Sequence, residues 1–148
     1  MRVRVLVVED DEDLREVLGE VLRASNFVVA SASTWEAQEI ATRCAPEVVL
    51  VDTCLGEQYC ERLLSRLTSS SDSPPGIVVC SARRSGCNTC QYASVFIPRP
   101  FDLDALVSAL LQAHRRRGPD LAKARHLPVV VEGHDAQGSD DRHSARAG

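Results

Sequence analysis

One pentapeptide constrains this chain more than any other: Val48-Val49-Leu50-Val51-Asp52. Four apolar residues, mostly β-branched, run straight into a carboxylate. A short all-apolar run of this kind suits a central strand buried on both faces, which requires covering layers above and below it. Asp52 then stands where the strand leaves the sheet. That rim is where open α/β sheets bind ligands.

The flanking sequence supplies the covering layers. Val3 to Val8 reads as a first strand, followed by Leu14, Val17, Leu18, Val21 and Leu22 at helical spacing over Asp13 to Arg23. Phe27 to Ala30 reads as a second strand. Ser33-Thr34-Trp35-Glu36 has capping-box spacing and opens a second helix with Ala37, Ile40, Ala41 and Cys44 inward, which Pro46 follows. After Asp52, Leu63, Leu64 and Leu67 mark a third helix, and Ile77 to Cys80 a fourth strand. Arg83 to Ala93 is polar with little helical stripe. Ser94 to Ile97 reads as a fifth strand, and Asp102 as the N-cap of a last helix carrying Leu103, Leu106, Val107, Leu110 and Leu111. Five alternations of strand and helix predict an α/β, flavodoxin-like (βα)5 doubly wound parallel sheet of strand order 2-1-3-4-5.

At 148 residues and 44% hydrophobic, the chain predicts one domain, residues 1–117, with a polar tail over 118–148. The tail lacks aromatics, has Val129 to Val131 as its one apolar run, and is expected to be disordered. A net charge of −4 gives no sign of a nucleic-acid-binding surface. The apolar run Val5 to Val8 is too short for a signal peptide, and no segment approaches the length of a membrane span. A cytoplasmic protein with no membrane partner is expected, its six cysteines reduced.

The strand order has a chemical consequence. Glu9 and Asp10 end strand one and Asp52 ends strand three, and neighbouring parallel strands lie about 4.8 Å apart. Singly, an acidic run before a helix complements its dipole, and an Asp after a strand starts a turn. Together at two adjacent strand ends, three carboxylates call for a cation or for raised pKa values, and all-oxygen donors favour Mg2+. Ser81 ends strand four with a hydroxyl, and Arg99 ends strand five with a positive charge. Such a set suits a phosphoryl group held over Asp52.

The ordered pieces Leu6-Val7-Val8-Glu9-Asp10-Asp11, Pro46-Glu47 with the run through Asp52, Val78-Val79-Cys80-Ser81-Ala82 and Arg99-Pro100-Phe101 resemble the receiver domain of bacterial two-component response regulators. The resemblance covers roughly Val3 to Ala113. It implies that Asp52 takes a phosphoryl group from a sensor histidine kinase or phosphotransfer protein. It implies Mg2+ bound by Glu9, Asp10, Asp52 and the backbone carbonyl of Cys54. It also implies that Ser81 binds the phosphoryl oxygen and that Phe96 is the aromatic switch residue, although a core aromatic fits strand five equally well. Departures from the family pattern are Arg99 in place of Lys, a shortened segment over 82–98, Cys60 in place of Gly, and Gly56 in place of Pro. The two guanidinium and ammonium side chains are not interchangeable.

The expected function is that of a single-domain response regulator, a phosphoprotein whose output passes through a protein partner. The tail is too short and polar for a DNA-binding domain. The alternative is a pseudo-receiver, an interaction module that works without phosphorylation. An enzyme on the same fold is disfavoured: the chain lacks G-x-G-x-x-G and a Walker-type loop, and Cys54 stands where a dehalogenase-type phosphatase carries a second Asp. Cys87-x-x-Cys90 has no second ligand pair for zinc, and the histidines, His114 among them, read as surface residues.

Overall fold

A computed structural model describes residues 2–52, 57–69, 71–81, 92–117 and 129–130. The strands are β1 (Arg4–Val8), β2 (Val28–Ala32), β3 (Val48–Asp52), β4 (Gly76–Ser81), β5 (Val95–Pro98) and β6 (Val129–Val130). The helices are α1 (Glu12–Ala24), α2 (Ala37–Cys44), α3 (Glu57–Ser69) and α4 (Leu103–Arg115). All pairings are parallel, in the order β2-β1-β3-β4-β5-β6. Strand alternation splits the core in two. Val5, Val7, Val48, Leu50, Val78 and Ile97 face one helical layer, which includes Leu106, Ala109 and Leu110 of α4. Leu6, Val8, Val49, Val51, Ile77 and Val79 face the other, with Ala37 and Ala41 of α2 and Leu63 and Leu64 of α3. Both faces of β3 are thus covered, as its uninterrupted apolar run requires.

The helix starts are set by local chemistry. The Asp11 side chain accepts from Leu14 N at 3.0 Å, and the Asp102 side chain from Ala105 N at 2.7 Å. These caps satisfy amide groups that the helices cannot pair internally. The box at Ser33 forms only in part. The Glu36 carboxylate accepts from Ser33 N and Oγ, at 3.3 and 3.1 Å, and α2 begins later, at Ala37. Two apolar positions leave their expected stripes, since Val17 and Leu103 are exposed. At the far end of the sheet from Asp52, Glu47 accepts from Arg4 N at 3.0 Å and pairs with Arg117 and His114. His114 is therefore a half-buried partner of Glu47 rather than a plain surface residue.

The sheet carries one strand more than the five expected. Val129 and Val130 pair with Val95 and Phe96 along the outer edge of β5, so part of the tail read as disordered joins the sheet. The rest of the tail, the segment holding Cys87 and Cys90, and Cys54 lie outside the described residues. Cys44, Cys60 and Cys80 are in the reduced form. No helix among the described residues is long and apolar enough to cross a membrane.

Candidate functional site

Glu9 follows β1 directly and Asp52 ends β3, and the register places Val8 beside Val51. Their carboxyl groups thereby emerge next to each other at the rim of the sheet. Both are buried, Glu9 to 4% and Asp52 to 5% relative exposure. Two carboxylates removed from water require a compensating cation. Arg99, reaching back from the end of β5, supplies it. Its Nη2 lies 2.5 Å from Asp52 Oδ2 and 3.7 Å from Glu9 Oε2. The Arg99 Nε is buried and has no hydrogen-bond partner among the described residues. The Arg99–Pro100 peptide bond is cis.

The Glu9 carboxyl is perturbed by its surroundings. Burial chiefly, and the neighbouring charge of Asp52, push its carboxyl above the ordinary value, while the Asp11 N–H at 3.2 Å and the Arg99 charge oppose them. Arg15 donates from Nη1 to the Glu9 carbonyl at 2.9 Å and ties α1 to the rim.

The third expected acid does not join the pair. Asp10 is exposed, and its two oxygens accept from Thr34, Oδ1 from the backbone N at 2.8 Å and Oδ2 from Oγ1 at 3.2 Å. Among the described residues no three His, Cys, Asp or Glu side chains form a metal-binding group. The donor chemistry nonetheless fits a hard divalent cation. Glu9 and Asp52 aim buried carboxylate oxygens at one positive group, and Asp10 offers a third carboxylate one residue on.

The remaining site residues fall as follows. Ser81 closes β4, in register with Pro98, but its side chain lies outside the described residues, as does the Cys54 carbonyl. Phe96 is buried in the core layer shared with α2 and α3. Two residues at the site escaped sequence reasoning. Cys60, noted only as standing in place of Gly, is fully buried in α3 and its Sγ donates to the Asp52 carbonyl at 3.9 Å. Its helical spacing to Leu63, Leu64 and Leu67 was the available signal. Thr34 carried none, because its partner lies 24 residues away. Cys80, paired across the ladder with Asp52, has its thiol pushed up to about 12 by burial, which disfavours the reactive thiolate.

This rim geometry is accompanied by clear relatives. Residues 5–111 match the family model of the response regulator receiver domain. Response regulator MprA of Mycobacterium sp. (strain KMS) is 30% identical over 125 residues, covering 81% of this chain and 54% of its own length. The chain thus spans about half the length of the curated relatives it matches. Among solved structures, a response regulator from Thermotoga maritima aligns with a TM-score of 0.65 at 23% identity, over 78% of this chain and 99% of that one. The signal receiver domain of a Luxo repressor protein from Vibrio parahaemolyticus also gives 0.65, at 20% identity, over 78% and 92%. These structural likenesses speak for the fold, and the family match covers most of the chain. The chain belongs to the response regulator receiver domain family.

Proposed function

We propose that this protein is a phosphorylation switch of a two-component system, in which Asp52 accepts a phosphoryl group from a phosphohistidine donor on a sensor kinase or phosphotransfer protein. The observation that carries this reading is the buried Asp52 carboxylate at the end of the central strand, flanked by Glu9 and countered by Arg99. In the transfer, the phosphorus–nitrogen bond of the donor breaks, a phosphorus–oxygen bond to Asp52 forms, and the donor imidazole takes up a proton. Glu9, Asp10, Asp52 and the Cys54 carbonyl would hold Mg2+, which neutralises phosphoryl and carboxylate charge when bound. Arg99 binds and orients the incoming phosphoryl oxygens through its planar fork. Ser81 and Phe96 then relay the added charge to the surface that meets an output protein. The reading places the switch in the cytoplasm, where cysteines such as Cys44, Cys60 and Cys80 stay reduced.

A second reading, a phosphorylation-independent interaction module, is favoured by one observation. Arg99 sits in ion-pair contact with Asp52 and near Glu9, filling the space between the two acids. One experiment separates the two. The protein is incubated with Mg2+ and a small phosphodonor, and its intact mass is measured. A single phosphoryl adduct that is absent from Asp52→Ala supports the switch. No adduct, with a cognate kinase also tried, transfers the case to the interaction module.

A further inference from the structure

We propose that Thr34 is a positioning residue that competes with a cation for Asp10 and thereby couples the acidic rim to an exposed aromatic pair. The inference rests on the cation-binding role assigned to Glu9, Asp10 and Asp52 above. Thr34 engages both oxygens of Asp10, with its amide at 2.8 Å and its hydroxyl at 3.2 Å. With both oxygens engaged by Thr34, the Asp10 carboxylate takes no part in the Glu9–Asp52 pair, which is held by Arg99 instead.

The segment that carries Thr34 links β2 to α2 and is braced from within. Glu36 N donates to the Ser33 carbonyl at 3.2 Å, and the Glu36 carboxylate accepts from Ser33. A braced turn moves as a unit. The residue after Thr34 is Trp35, 77% exposed, whose ring lies 4.9 Å from that of Tyr59 in α3 at a tilt of 56°. Aromatic pairs favour such tilted contacts, yet water surrounds most of this indole. A cation that draws Asp10 toward Asp52 must break the Thr34 bonds or pull the turn with it. A turn that is pulled along, or that relaxes once released from its anchor on Asp10, carries Trp35 with it against Tyr59. The state of the acidic rim is thus displayed at the exposed Trp35–Tyr59 pair.

Trp35 is the single tryptophan of the chain, so its emission reports this turn alone. The test titrates the full chain with Mg2+, following tryptophan emission and calorimetric heat in parallel. The expected result is a saturable emission change whose midpoint coincides with that of the heat. Thr34→Val removes the hydroxyl bond and should tighten Mg2+ binding by about fivefold, the equilibrium worth of one hydrogen bond, while reducing the emission change. Thr34→Ser restores the hydroxyl and should return both to the parent values. Heat of binding without an emission change overturns the coupling, as does an unchanged Mg2+ affinity in Thr34→Val. Absence of any binding heat in the parent protein sinks the cation role of the rim itself and the coupling with it, so the two failures are told apart.

Discussion

Replacing Arg99 with Ala leaves Glu9 and Asp52 buried side by side without their counter-ion. Breaking a buried pair by removing one partner costs about 3–5 kcal/mol. The Arg99 side chain is 31% exposed, so water screens it and the lower end applies, about 3 kcal/mol. For a domain of this size that is a fall of roughly 10 °C in Tm. The loss should also depend on pH. Glu9 in the folded protein already binds a proton above the ordinary value of 4.5, chiefly through burial. The stability carried by its neutral form is full below that value and is lost as pH rises through the raised folded value. Arg99 counters this rise, so its removal enlarges the penalty at neutral pH and lets protonation of Glu9 relieve it in acid. Urea denaturation of parent, Arg99→Ala and Arg99→Lys at pH 7 and near pH 4.5, without divalent cations, measures the effect. A large deficit at pH 7 that shrinks in acid and is mostly recovered by Lys is expected. A deficit under about 0.5 kcal/mol at pH 7, within the ordinary range of surface substitutions, or one that ignores pH, would refute the counter-ion role.

Two further outcomes test the fold around the site. A Cβ on Gly76 would stand 2.2 Å from the backbone oxygen of Ala113, an atom that no side-chain rotation can clear. Gly76→Ala should therefore lose about 3 kcal/mol in urea denaturation, the upper end for overpacking, and a loss near zero would show that α4 yields freely. Val130→Pro removes a backbone donor from the sixth strand, which suits neither a ladder nor its neighbour. Amide exchange of Val95 and Phe96 should then speed up by about tenfold while that of β3 holds, as expected for a local opening. Unchanged exchange would mean that the edge of β5 does not depend on the tail.

Most of the architecture was legible in the residues because burial imposes period. The apolar runs at Val5–Val8, Val48–Val51 and Ile77–Val79 are strands because both their faces are covered, and Leu106 and Leu110 repeat once per helical turn because one face of α4 is. Boundaries were less legible where competing local bonds decide them. Ser33 and Glu36 bond to each other before α2 begins, and Val17 and Leu103 sit at stripe edges where spacing alone does not distinguish core from solvent. The sixth strand was hidden because two valines in a polar tail gain their partners only from the finished edge of β5.

At the site, sequence alone determined the chemical inventory and its address. It put Glu9, Asp10, Asp52, Ser81 and Arg99 at strand ends, since strand ends follow from hydrophobic period and parallel order. Tertiary structure decided how those groups are paired. Arg99 lies 47 residues beyond Asp52 and could have stood in solvent, but it closes on Asp52 at 2.5 Å because two buried carboxylates need a positive neighbour. Asp10 sits one residue from Glu9 in the chain yet outside the pairing with Arg99. Its exposed carboxylate found two donors on Thr34, and that choice rests on the β1–β2 packing, which one-dimensional spacing does not encode.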